Sequence, residues 1–293
     1  MIKTMKALIN GQVINLTLEE STGDWVASVP APQKSSYTQK GHYYPVSITA
    51  TDDSNNSTTV DVTHATLGES LKLQVKEKVA PVITILAPTT GSYLATATPS
   101  ISFSITDDDS GVDLDSVVVK VDGVALEGVS HSAIENGYSF SVTCGALADG
   151  EHTITVDAAD HDGNAAVQVT AAITTDTVPP TLTLTAPGDG LYTNESELVV
   201  SGVTNDATSD VSVTVNGKAV TVNADGSFSA AVTLTEGENV ITVVATDSAG
   251  KTAAITRTVT LDTAAPVFVS VSLTPNPVDC GATYVIRVKA TDD

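Results

Sequence analysis

Aspartate is the residue type through which this chain could do chemistry, and it recurs in a pattern. Asp107, Asp108 and Asp109 run together, Asp160 and Asp162 lie further on, and Asp176, Asp206 and Asp247 follow at comparable places downstream. Several carboxylates brought to one point repel one another unless a hard cation neutralises them, and calcium takes such oxygen ligands. No complete EF-hand loop is present, so any calcium site has to be assembled by the fold. The alternative is that Asp here serves turns and solubility, as in the pair Asp162-Gly163. Other chemistries find less support. His42, His64, His131, His152 and His161 show no metal-ligand spacing such as HExxH and read as solvated surface histidines. There is no GxSxG nucleophile elbow and no GxxxxGK[ST] phosphate loop. Catalysis is not expected.

The elements that must position these carboxylates are legible as repeats. The segments 41–57, 150–166 and 237–253 each begin at Gly, alternate through apolar residues to Ala, and end in an Asp-bearing turn. Residues two apart share a strand face, so Val46/Ile48/Ala50, Ile154/Val156/Ala158 and Ile241/Val243/Ala245 should each point into a core. Upstream, Asn10-Gly11, Asp122-Gly123 and Asn216-Gly217 each separate two alternating runs, the signal of a tight hairpin. A Pro following a short polar stretch, at Pro81, Pro180 and Pro266, marks stiff joints between units.

Seven strands are expected in the third copy, at about 181–185, 198–203, 211–216, 219–223, 227–234, 239–245 and 251–261, which is the strand count of an immunoglobulin-type sandwich. The fold class is therefore all-β, a series of tandem immunoglobulin-like β-sandwiches arranged as an extended rod. Residues 1–78 form an incomplete or variant domain that starts at its Asn-Gly hairpin, with 65–78 supplying a replacement strand. Residues 79–175 and 176–264 are full domains, and 265–293 hold the first two strands of a fourth. The last is read as a fragment boundary; the rival reading is that these strands complete the first domain of another copy. In this order the loop after the second strand, the loop before the last and the incoming linker share one end. That end would gather Asp107, Asp108, Asp109, Asp160 and Asp162 in the second domain, and Asp176, Asp206 and Asp247 in the third. Narrow sandwiches in a row offer no cleft for paired catalytic acids.

Composition bounds the partners. With 13 basic and 35 acidic residues the formal charge is -22, which opposes nucleic acid and anionic membranes. No apolar run is long enough for a membrane-spanning helix, and the first residues lack the pattern of a secretion signal. Cys144 and Cys280 fall in different domains and read as two unpaired thiols. Trp25, Tyr37, Tyr43 and Tyr44 are four of only twelve aromatics. Either they dock the first domain onto a partner, or Trp25 and one tyrosine fill the core of an incomplete sandwich.

The stretches DTVPPTLTLTAP and VSVTVNGKAVTVNADGSFSAAVTLTEGENVITVVATDSAGK resemble bacterial immunoglobulin-like repeats of the kind found in surface adhesins and tailed-phage virion proteins. The resemblance covers 79–264 well and 1–78 in part. It implies a non-enzymatic spacer or adhesive stalk, stiffened by calcium at its joints. Its partners would be other proteins of the virion or surface assembly and a protein or glycan of the host surface. Without a secretion signal the virion is the favoured location, and the bacterial cell surface the alternative. A polysaccharide-binding module is disfavoured by the 4% aromatic content.

Overall fold

The computed structural model describes residues 1–292, which are strand and connecting segments apart from one 3-10 turn at Gly68–Leu71. No helix among them is long and apolar enough to cross a membrane. The chain divides into two compact units, Met1–Thr175 and Asp176–Asp293.

The first unit opens with β1 (Ile2–Ile9), β2 (Gln12–Glu19), β3 (Asp24–Val26), β4 (Tyr44–Asp52), β5 (Ser57–Val60) and β6 (Lys72–Leu73). They form a single sheet in the order β3-β2-β1-β4-β5, with β6 added to β4. Asn10 and Gly11 both take positive φ, 46° and 75°, as a tight hairpin turn between twisted strands requires. The register sets Ala7 opposite Ile14 on one side and Ile48 on the other, so these residues share the apolar face. Among the described residues no second sheet closes that face, and only Ala7, Ile14 and Tyr44 of the domain's apolar side chains are buried. The expected replacement strand within 65–78 amounts to the two residues of β6.

The unit continues with β7 (Val82–Ala87), β8 (Ser92–Leu94), β9 (Ser100–Thr106), β10 (Val112–Val121), β11 (Val124–Ala125), β12 (Ser130–Ile134), β13 (Gly137–Thr143), β14 (Gly150–Asp160) and β15 (Val169–Thr175). Two sheets, β12-β13-β9-β7 and β11-β10-β14-β15-β8, pack face to face. Period-two alternation delivers the core: Ile101, Phe103 and Ile105 from β9 meet Ile154, Val156 and Ala158 from β14. Phe103 and Phe140 pair across β9 and β13 with centroids 4.8 Å apart. Each such side chain contributes about 1.5–3 kcal/mol by leaving water.

In the second unit, β16 (Thr181–Ala186), β17 (Leu191–Thr193), β18 (Glu197–Asn205), β19 (Val211–Val215), β20 (Lys218–Val220), β21 (Ser227–Thr233), β22 (Gly237–Asp247) and β23 (Thr252–Leu261) repeat the plan as β16-β18-β21 and β17-β23-β22-β19-β20. All seven expected strands are present, and β17, a three-residue parallel partner of β23, is added to them. The ring pair of the preceding domain is replaced here by Gly202 opposite Phe228; a Cβ on Gly202 would lie 2.8 Å from the Phe228 ring and 2.3 Å from the Thr183 carbonyl oxygen. The chain ends in an antiparallel hairpin of β24 (Val267–Thr274) and β25 (Val285–Thr291), exposed on both faces.

Candidate metal centres

Two carboxylate triads form, one in each unit: Glu77, Asp107 and Asp160, and Asp176, Asp206 and Asp247. They are built alike. The first member stands four residues before the proline that opens the domain, the second directly follows the second long strand, and the third ends the long strand β14 or β22. In each triad one oxygen per residue lies within 4.8 Å of the other two. Ligands on opposite sides of a calcium ion, each 2.3–2.6 Å from it, stand about 5 Å apart, so the spacing suits that ion.

Local backbone geometry aims these groups. The Asp107 carboxylate (Oδ1) accepts the backbone N–H of Asp109 at 3.0 Å and of Gly111 at 2.7 Å, and Asp206 likewise accepts Thr208 and Ser209. Asp160 accepts Asn164 twice, from its backbone N–H at 2.8 Å and its side-chain amide at 2.7 Å. At the corresponding place the Asp247 Oδ1 accepts the Lys251 N–H at 2.8 Å, but lysine supplies no amide for the second oxygen. Asp247 Oδ2 is consequently buried without a hydrogen-bond partner; Asp176 is fully buried, its Oδ2 accepting from the Ser209 hydroxyl at 2.7 Å while its Oδ1 likewise has no partner. Buried polar atoms are nearly always satisfied, so these two oxygens fit an oxygen-binding cation. In the first triad burial pushes the Glu77 carboxyl above its ordinary range against the hydrogen bonds from Ser110, and Asp107 and Asp109 push it the same way.

The remaining Asp candidates stand outside the triads; the carboxylates of Asp109 and Asp162 fasten the seam between the two domains of the first unit, and that of Asp108 bonds within the second. Asp109 receives the Ser35 N–H at 2.9 Å, Asp162 receives the Glu77 N–H at 2.9 Å, and Asp108 binds the Asn136 amide at 2.8 Å. Lys34 and Lys76 donate to the carbonyls of Asp108 and Asp162. Tyr37 stacks on His161 across this seam at 4.0 Å and on His42 at 4.4 Å. Tyr44 is buried with its hydroxyl on the Lys34 carbonyl, the Lys72 ammonium lies 5.2 Å from the centroid of the Tyr43 ring, and Trp25 is half-buried on β3. Three of the four aromatics proposed for docking, Tyr37, Tyr43 and Tyr44, thus have partners inside the chain.

Glu77 is the triad carboxylate that the search for Asp missed; its offset before Pro81, the same as that of Asp176 before Pro180, is the signal that finds it. The surface reading of the histidines is corrected at His152. Its side chain is largely covered, with Nδ1 bonded to Asp122 at 2.6 Å and Nε2 to the Ala148 carbonyl at 2.8 Å. Cys144 is buried and Cys280 exposed, both unpaired.

Residues 81–156 match the family described as Bacterial Ig domain, and residues 180–263 match Glucodextranase, domain B. Bacillopeptidase F of Bacillus subtilis (strain 168) is 44% identical over 105 residues, which is 36% of this chain and 7% of that protein. The PII-type proteinase of Lacticaseibacillus paracasei is 26% identical over 270 residues, 83% of this chain and 13% of the proteinase. The chain thus spans a small fraction of these relatives. Among solved structures, the fibronectin(III)-like modules of Clostridium thermocellum CbhA align with a TM-score of 0.41 and 19% identity, covering 62% of this chain and 94% of theirs. With two of its domains built as paired-sheet β-sandwiches on one plan and the first of these matched by the bacterial immunoglobulin family, the chain carries Big-type immunoglobulin-like repeats.

Proposed function

We propose that this chain is a non-catalytic spacer and adhesive segment of a bacterial cell-surface protein, in which calcium fixes the lead-in to each sandwich domain. The observation that carries the calcium reading is the pair of buried, unpartnered oxygens, Asp247 Oδ2 and Asp176 Oδ1, in a triad of oxygen donors. A cation there would neutralise the carboxylates and tie the segment before the first strand to two loops of its own domain. The triad of the first unit would do the same at Glu77, beside the seam fastened by Asp109 and Asp162.

The cell surface is preferred to the virion because the relatives named above are bacterial peptidases or proteinases by name, and the chain aligns with a minor part of each. A supporting role beside another protein's chemistry agrees with the absence of nucleophile, phosphate-loop and zinc motifs in the sequence. Calorimetric titration of the full chain with calcium, paired with melting scans in calcium and in EDTA, tests the reading. Saturable heat and a melting temperature that climbs with calcium are expected. No heat and no shift at millimolar calcium would sink it.

A further inference from the structure

The two full sandwiches differ along one side. In the second domain β12 pairs with β13 from Ser130↔Ser141 to Ile134↔Gly137 and covers most of that sheet edge. In the third domain the corresponding edge belongs to β21, and its outer side is met only by a single bridge, Val222↔Phe228. Among the described residues nothing pairs with β21 on that side beyond the bridge. The Thr204 N–H donates to the Gly226 carbonyl on the β18 side, so alternation along the strand turns the N–H and C=O of Ala231 and Thr233 outward. Beside them runs a groove of about 360 Å³ between β20 and β21. Val220, Ala230 and Val232 form its floor and are only half-buried although they pack on the core.

We propose that this edge is a strand-addition site, at which an extended segment of another polypeptide pairs with β21 and fills the groove. The second domain supplies the template for the occupant, since its own chain places an extended strand on the equivalent edge. β21 reads Ser-Phe-Ser-Ala-Ala-Val-Thr, without the lysine, proline or inward charge that usually blunts a free edge. Its small side chains leave room for a neighbour with small or β-branched residues at alternate positions. Asp225 precedes the strand and Glu236 follows it, so the fitting segment is uncharged in the middle and basic at both flanks. Main-chain hydrogen bonds would give the affinity, and the groove the preference for alternate side chains.

The test titrates the full chain with a labelled peptide of sequence KTVAVSK, read by fluorescence anisotropy and by amide hydrogen exchange. Saturable binding is expected, with exchange slowed at 229–233. Charge reversal to ETVAVSE should weaken binding, with the difference shrinking as salt rises. The peptide KTVPVSK, which lacks a central N–H, should bind at least about tenfold more weakly. Ala231→Pro in the protein should weaken it similarly, and the proline peptide gives the same information should that variant fail to fold. Three results would overturn the proposal: no saturation at millimolar peptide, equal binding of the proline peptide, or protection of 229–233 that arises from self-association without peptide.

Discussion

Replacing Asp247 by Asn separates a cation site from a merely acidic turn, because the two readings give opposite signs. The Asp247 Oδ1 accepts the Lys251 N–H, a bond that the Asn oxygen can keep. The new amide nitrogen then takes the place of Oδ2, the atom that lacks a partner, in a triad where the Asp176 Oδ1 also lacks one. Two carboxylate charges within 4.8 Å of each other repel by about 3.5 kcal/mol or more at an effective dielectric of about 20. Asp247 takes part in two such pairs, about 7 kcal/mol in all, most of which is absorbed by structural relaxation and solvent screening. If a third survives, the metal-free domain gains about 2 kcal/mol, a rise of roughly 8–16 °C in melting temperature. Calcium at a hundredfold excess over its dissociation constant stabilises the native protein by about 2.7 kcal/mol, and D247N should lose that gain. Scanning calorimetry of both proteins, in EDTA and in calcium, reads all four values. The reasoning fails if D247N melts below the native protein in EDTA while calcium shifts both equally.

Two further outcomes follow from the packing. Gly202→Ala should cost about 3 kcal/mol, since its Cβ meets the Thr183 carbonyl and the Phe228 ring; a denaturant midpoint unchanged by the substitution would contradict that geometry. The pair His152–Asp122 should make the stability of the second domain depend on pH. Desolvation works against the imidazolium, but the hydrogen bonds to Asp122 and the Ala148 carbonyl outweigh it and raise the His152 pKa. The His152 side-chain hydrogen bond, followed by that of the Thr153 N–H, lowers the pKa of Asp122. The histidine contribution is therefore complete below its unfolded value of about 6.5 and lost as pH rises through the raised one. The aspartate contribution is present above about 3.9 and lost as pH falls through the depressed value. Chemical denaturation of native protein and H152A should differ most between about pH 4 and 6.5, and a difference that grows toward pH 9 would refute the pairing.

Much of the fold was legible because its main signals are local. Alternating residues such as Ile241, Val243 and Ala245 declare a strand wherever they fall, and Asn216-Gly217 declares a turn whose positive φ values the structure bears out. β17 was not legible: three residues carry no period, and their partner β23 lies far along the chain. The first domain was legible only as irregular, because whether a second sheet closes over Ala7 and Ile14 is a matter of tertiary packing. At the carboxylate triads, position relative to the domain-opening prolines mattered more than residue type, which is how Glu77 came to stand where Asp was sought. Loop geometry decided the rest: Asp107 turns inward onto its own backbone N–H groups, whereas Asp109 reaches across the seam to Ser35. His152 owes its partners to strands and loops that no local pattern brings together.

The contrast between the Phe103–Phe140 pair and the Gly202–Phe228 pair bears on how neighbouring repeats avoid folding into one another. Tandem copies of similar sequence risk trading equivalent strands while still unfolded. A sandwich that took β18 in place of β9 would have a hole the size of a benzyl group, and the reverse exchange would force two rings into space for one. Either hybrid is mispacked at its centre, so each copy is steered to close on its own strands.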